Sequence, residues 1–343
     1  MPGEGTTVSD SGRRSFLRSA ACLALLQGAR CFGASTSHAA LPPESGALGI
    51  PIIDTHIHLF DPTRPGGVPW PESSDTALYR PALPPRYKSL AAPFGIVGAI
   101  AVECSNLLED NDWLLRAAAS DTIMVGVIGD LDPAAAGFPQ QLERLAANPL
   151  FRGIRYGNLW DRNLGARLGE PGFVANLKRL ADAGLLLETA NPNPTLISEI
   201  LSLTDRVPDL RIVLDHLPQA VPPVDSAARK VYLRDLRALS QRRTIFAKGS
   251  EVFRRIDEKV PTDLGVYKPW LDEIWEMFGD DRLMYGSDWP NSDHWAPYAD
   301  TFDIIRQYVT SRGPQTLKKF FWKNSIAVYR WRQRDAAQRK LTS

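Results

Sequence analysis

The chain is poor in cysteine, with three in 343 residues. Cys22 and Cys31 fall within the first forty residues, leaving Cys104 alone beyond them. A chain that begins after that leader can form no internal disulfide, which excludes a disulfide scaffold and suits a protein folded in a reducing compartment. Long hydrophobic runs are missing too. A membrane span needs about twenty apolar residues, and the run from Ser19 to Leu26 ends at Gln27, Gly28 and Arg30, so no stable membrane anchor is expected. There is no excess charge of one sign: 40 Lys and Arg stand against 39 Asp and Glu, for a formal net charge of +1. Nothing in that balance points to nucleic acid as a partner. Internal repeats, low-complexity segments and a glycine-rich phosphate loop are all absent.

The N-terminus has a pattern of its own. Gly12-Arg13-Arg14-Ser15-Phe16-Leu17-Arg18 precedes the small, apolar run from Ser19 to Leu26. This order resembles a bacterial twin-arginine signal, read by the twin-arginine export machinery. Small residues at Ser37 and Ala39 offer a cleavage site, which places a signal at residues 1–39, a linker at 40–50, a domain at 51–335 and a tail at 336–343. Removing Arg13, Arg14, Arg18 and Arg30 together with Glu4 and Asp10 changes the net charge from +1 to −1. The expected location is periplasmic or secreted, after export in the folded state.

Beyond the leader, short β-branched runs alternate with amphipathic stretches, the sign of βα units on a parallel sheet. Eight runs are expected as strands: Pro51 to Thr55, Ile96 to Glu103, Thr122 to Ile128, Gly153 to Tyr156, Leu185 to Thr189, Arg211 to Asp215, Thr244 to Lys248 and Leu283 to Ser287. Apolar residues three and four apart mark helices at Trp113 to Ala119, Phe173 to Ala183, Leu196 to Leu203 and Tyr232 to Leu239, with Gly184 as a C-cap and Asp110 as a start. Eight strands without a phosphate loop favour closure into a (β/α)8 TIM barrel over an open sheet. The proline-rich stretch from Asp61 to Pro93 is long for a βα loop. It reads either as a cover over the barrel mouth or as a stiffened surface excursion.

Three segments place ionisable groups at strand ends. In Ile52-Ile53-Asp54-Thr55-His56-Ile57-His58, residues two apart face the same way, so both imidazoles can enter one cavity as metal ligands or hydrogen-bond donors. Leu214-Asp215-His216-Leu217-Pro218 and Tyr285-Gly286-Ser287-Asp288-Trp289-Pro290 follow the sixth and eighth runs. A closed barrel gathers such residues at its C-terminal mouth, so His56, His58, His216 and Asp288 can meet. Taken singly, Asp288 reads as a turn carboxylate capping the next helix and His216 as a satisfied core histidine. Arg155 offers a two-pronged grip on a substrate carboxylate, or else an ion pair with Glu103 or Glu188. Lys248 is a similar substrate-binding candidate. Tyr156, Trp70 and Trp289 read as pocket lining or as packing, and Cys104 as inert core.

In order and spacing, the segments Ile52 to Phe60, Arg152 to Tyr156, Leu214 to Pro218, Tyr285 to Pro290 and Phe320 to Trp331 resemble the amidohydrolase-related family, especially its branch of sugar-lactone and aromatic-pathway lactone hydrolases. The resemblance spans the mature chain. It implies that His56, His58 and Asp288 hold metal or substrate and that Asp288 activates water. The family's histidine after the fifth strand is missing from Glu188-Thr189-Ala190-Asn191-Pro192-Asn193. Glu188 or Glu103 would then supply an oxygen ligand, or the site would work without metal.

Two mechanisms follow. A single divalent ion, zinc or manganese, would polarise the scissile carbonyl and acidify its water, with Asp288 taking the proton. Without an ion, Asp288 acts as general base and His56, His58 or His216 stabilises the oxyanion, with His216 and Asp288 as the catalytic pair. Either opens a lactone or similar cyclic ester of a sugar acid or aromatic-pathway intermediate without a covalent enzyme intermediate. The alternatives are a metal-dependent decarboxylase on the same barrel and a non-catalytic barrel that binds a carbohydrate or a partner.

Overall fold

The computed structural model describes residues 48–190, 192–220 and 222–339. The signal expected at 1–39 and most of the expected linker therefore lie outside the described residues.

Eight strands form one sheet in sequence order. They are β1 (Ile52–His58), β2 (Ile96–Val102), β3 (Met124–Gly129), β4 (Phe151–Arg155), β5 (Leu186–Thr189), β6 (Arg211–Leu214), β7 (Ile245–Gly249) and β8 (Leu283–Tyr285). Every neighbouring pair is parallel. The sheet closes on itself at its C-terminal rim, where Ile57 bridges Trp289 in parallel. There the His58 amide donates to the Trp289 carbonyl at 2.7 Å and the Asp288 amide to the His56 carbonyl at 2.8 Å. The eight-stranded TIM barrel expected from the sequence is the fold found.

Strand side chains alternate between two cores, as a period of two requires. Ile53, Ile100, Val125, Leu186, Val213 and Met284 fill the barrel interior. Their neighbours Ile52, Ala99, Met124, Leu187, Ile212, Leu214 and Tyr285 pack outward in the larger core that includes the helices. Burial on both faces explains the short, β-branched strands. The helices between them begin where capping predicts. Asn193, Asp225 and Asp263 accept from the first free amides of Pro194–Arg206, Ser226–Ser240 and Leu264–Phe278. Gly184, at φ +70°, ends Pro171–Asp182 in the left-handed conformation glycine tolerates best. Asp110, by contrast, is already the first residue of the helix Asp110–Ala119 and pairs with Arg64 at 2.6 Å.

Two other expectations are revised. The stretch from Asp61 to Pro93 is not one loop, because it contains the helix Pro84–Ala91 and a short turn at Ala92–Phe94. The excursion proper is pinched at its base by mutual backbone bonds between Phe60 and Ala82 at 3.1 and 2.9 Å. The C-terminal segment is structural as well. Trp322, Val328, Tyr329 and Trp331 join the interior core. Ala336–Arg339, read above as tail, form a helical turn whose buried Gln338 donates to the Val97 and Thr122 carbonyls at 2.9 Å each.

Asp54 pins the seam between β1 and β8. Fully buried, it accepts from the amides of His56 (3.1 Å) and Ser287 (2.9 Å) and from the hydroxyl of Tyr87 (2.8 Å). Asp54→Ala leaves these donors unpaired and is expected to cost about 2–4 kcal/mol in urea unfolding. A loss below about 0.5 kcal/mol would contradict this role for Asp54.

Candidate active site

The strand ends converge as the barrel requires. His56 and His58 lie at the C-terminal end of β1, Glu188 is the next-to-last residue of β5, Asp215 and His216 follow β6, Lys248 lies in β7 and Asp288 follows β8; all are buried. His56 Nε2 and His58 Nε2 lie 3.3 and 3.2 Å from Asp288 Oδ1, with His216 Nε2 at 3.9 Å. The backbone at His216, Glu251 and Asp288 is left-handed, with φ of 54°, 51° and 60°. Such residues cost of order 1–3 kcal/mol each, and clusters of them are typical of functional sites. Gly286 lets β8 come close to β1, since a Cβ there would stand 2.8 Å from the Cβ of His56.

Below this group lies an ionic layer. The Lys248 ammonium contacts Glu188 Oε2 at 2.7 Å, Asp215 Oδ1 at 3.0 Å and His56 Nδ1 at 3.0 Å. Tyr329, rising from the C-terminal helix Asn324–Tyr329, donates to Glu188 Oε1. Beside it, Arg155 Nε donates to Glu103 Oε1 and its Nη2 to the Glu103 carbonyl, both at 2.6 Å, while Nη1 lies 3.9 Å from Asp215. Trp160 Nε1 also reaches Glu103, at 3.2 Å.

Charge follows from these contacts. Burial alone would raise the Asp288 carboxyl, but the facing His216, His58 and His56 hold it well below the usual carboxylate range. Burial, with Lys248 adding to it, drives His56 well below the ordinary imidazole value, and burial lowers His216 as well. Burial, with Asp288 next to it, pushes the Glu251 carboxyl well above its usual value.

Three groups of side chains could each hold a divalent ion: His56, His58 and Asp288; His56, Asp215 and His216; and His216, Glu251 and Asp288. The first fits best. His58 Nδ1 bonds the Val102 carbonyl at 3.0 Å, which turns a bare Nε2 inward. Asp288 Oδ1 is buried and has no hydrogen-bond partner of good geometry. Nitrogen and oxygen donors of this kind suit zinc. Glu103 and Glu188 belong to none of the three groups and are ion-paired instead, with Arg155 and Lys248.

The remaining candidates sort by strand alternation. Arg155 faces inward, but its guanidinium is committed to Glu103, the ion pair named above as the alternative. Lys248 is fully buried and spent on the ionic layer, so it does not line the substrate pocket. Tyr156, one residue past Arg155, faces outward and packs on Phe173, with centroids 5.3 Å apart. Trp289, one past Asp288, packs outward against Tyr87 at 5.3 Å and under Arg86. Neither aromatic lines the mouth. Trp70 does, its ring 5.4 Å from that of His58. Cys104 is inert: burial pushes its thiol up, and Sγ rests on the Leu59 carbonyl at 3.4 Å.

A family model described as amidohydrolase matches residues 53–331. The chain belongs to the amidohydrolase family. An L-fucono-1,5-lactonase from Burkholderia ambifaria is 27% identical over 282 residues, which are 81% of this chain and 95% of that protein. A second L-fucono-1,5-lactonase, from Burkholderia multivorans, is 25% identical over 301 residues, 82% of this chain and 96% of its own. A crystal structure of an amidohydrolase from Burkholderia multivorans with bound zinc has a TM-score of 0.73 at 22% identity, covering 82% of this chain and all of that one. It shares the barrel of the present amidohydrolase.

Sequence reasoning missed three residues here. Asp215 was visible beside His216 but was not singled out. Ser250 bonds His216 Nδ1 at 2.9 Å. Glu251 stands 4.0 Å from the same nitrogen, and its Oε1 accepts from Asn291 at 2.8 Å. Gly249-Ser250-Glu251, directly after Lys248, was the available signal: polar residues leaving a strand at the catalytic rim.

Proposed function

We propose that this amidohydrolase opens the lactone of a sugar acid by attack of water on the ring carbonyl. The observation that carries the reading is Asp288 Oδ1, a buried carboxylate oxygen without a good hydrogen bond, facing the imidazoles of His56, His58 and His216. The substrate class is drawn from the two relatives named as L-fucono-1,5-lactonases.

In this reading Asp288 takes a proton from water as the water oxygen bonds the carbonyl carbon. Hydrogen bonds from the imidazole cluster stabilise the oxyanion. Collapse of the tetrahedral species breaks the ring carbon–oxygen bond, and the proton held by Asp288 returns to the departing alkoxide, leaving a hydroxy acid. Trp70 forms an apolar wall beside His58 for one edge of the ring. Lewis-acid polarisation of the carbonyl is the chemistry that a divalent ion supplies when His56, His58 and Asp288 hold it.

The residues at 1–39 support an exported enzyme, handed folded to the twin-arginine machinery and active in the periplasm. No helix among the described residues is long and apolar enough to cross a membrane. Residues 1–45 fused to a folded reporter are expected to carry it out of the cytoplasm in cells with a working twin-arginine pathway. Retention there would overturn the localisation.

Activity is tested with a panel of sugar and aromatic lactones, followed by acid release, with and without chelator. Turnover of sugar lactones is expected, reduced about 10²–10⁴-fold in Asp288→Asn. Hydrolysis undiminished in that variant would remove Asp288 from the reaction, and no turnover of any lactone would remove the substrate class.

A further inference from the structure

We propose that Lys248 is a positioning residue that fixes His56 as an Nε2–H hydrogen-bond donor at the barrel mouth. One chain of contacts fixes the hydrogen from both ends. At one end His58 Nδ1 lies 3.0 Å from the Val102 carbonyl. A carbonyl only accepts, so His58 carries its hydrogen on Nδ1 and its Nε2 is bare. At the other end His56 Nδ1 lies 3.0 Å from the Lys248 ammonium. An ammonium only donates, so His56 Nδ1 accepts and the ring hydrogen sits on Nε2.

The two imidazoles meet at Nε2 to Nε2, 3.3 Å apart. One hydrogen is needed between them, and the two ends assign the same one: His56 Nε2–H, facing His58 Nε2 and, at 3.3 Å, Asp288 Oδ1. The opposite tautomer would set the Nδ1 hydrogen of His56 against the ammonium. It would also leave two bare nitrogens and a carboxylate oxygen facing one another with nothing between them.

Lys248 can hold this geometry because its own position is over-determined. Glu188 at 2.7 Å and Asp215 at 3.0 Å flank the ammonium, and Tyr329 secures Glu188 from the C-terminal helix. All four residues are buried. Without an ion, the hydrogen on His56 Nε2 lies at the point that His56, His58 and Asp288 would offer a divalent ion. As a statement about the reaction, with His56 donating to the carbonyl oxygen, the inference rests on the ring-opening reading. As a statement about where the hydrogen lies, it does not.

The test is long-range proton–nitrogen NMR on the chelator-treated, full-length protein labelled with ¹⁵N-histidine. The chain has five histidines, and His56 is assigned by the signals lost in His56→Gln. His56 is expected to show a protonated Nε2 and a bare Nδ1, and His58 the reverse. In Lys248→Met the His56 preference is expected to be lost, as Nδ1–H turns to Asp215, 3.6 Å away. A wild-type His56 protonated on Nδ1 would overturn the proposal, and so would an unchanged His56 pattern in Lys248→Met. Should that variant fail to fold, the wild-type spectrum decides alone. No substrate is used, so inactivity on every lactone leaves the inference standing, whereas an active lactonase with Nδ1–H at His56 defeats it alone.

Discussion

The site depends on one buried cation. The Lys248 ammonium sits among Glu188, Asp215 and His56 with no exposure to water. Taking such charges out of water costs several kcal/mol per ion, and the arrangement is tolerable because the ammonium stands 2.7 Å from Glu188 and 3.0 Å from Asp215. Removing one member of such a buried set costs about 3–5 kcal/mol, since the others are left uncompensated. Burial works against the charge on Asp215, yet Lys248 and His56 hold its carboxyl below the ordinary range. Burial and the neighbouring Asp215 push Glu188 up to about 7. The layer is thus a rigid floor under the imidazoles.

The barrel supplies this floor by alternation. Leu186 and Val213 fill the interior, and two positions further on the same inward face presents Glu188 and Asp215. The apolar interior therefore gives way to an ionic layer at the C-terminal ends of the strands. Above that layer the chain leaves the sheet through left-handed residues at His216, Glu251 and Asp288, which bring side chains from consecutive strand ends over the mouth. Side-chain bonds hold these turns in place, from Ser250 to His216 and from Asn291 to both Glu251 and Asp288. The C-terminal helix contributes from the opposite direction, through Tyr329 inside the barrel.

Much of this was legible before the structure. β-branched runs located all eight strands, because strands buried on both faces must be apolar throughout, and the spacing of His56, His58, His216 and Asp288 at strand ends located the mouth. The pocket lining was not legible at the same level. Tyr156 and Trp289 neighbour inward-facing residues in sequence, and the period of two turns both outward. Arg155 and Lys248 read equally as ligand-binding cations or as partners of buried carboxylates, and only distances separate the two. The roles of Asp215, Glu251 and Tyr329 depend on contacts between residues far apart in sequence, which no local pattern encodes. The C-terminal turn at Ala336–Arg339 was not legible because Gln338, which anchors it, is polar and gives no apolar signature.

The central claim, direct attack by water positioned at Asp288, is tested most directly by a single turnover of a sugar lactone in ¹⁸O-water with enzyme in excess. The account predicts one ¹⁸O in the carboxylate of the product from the first turnover. A first-turnover product without the label, its new oxygen drawn from the protein, would show a carboxylate acting as nucleophile and would contradict it.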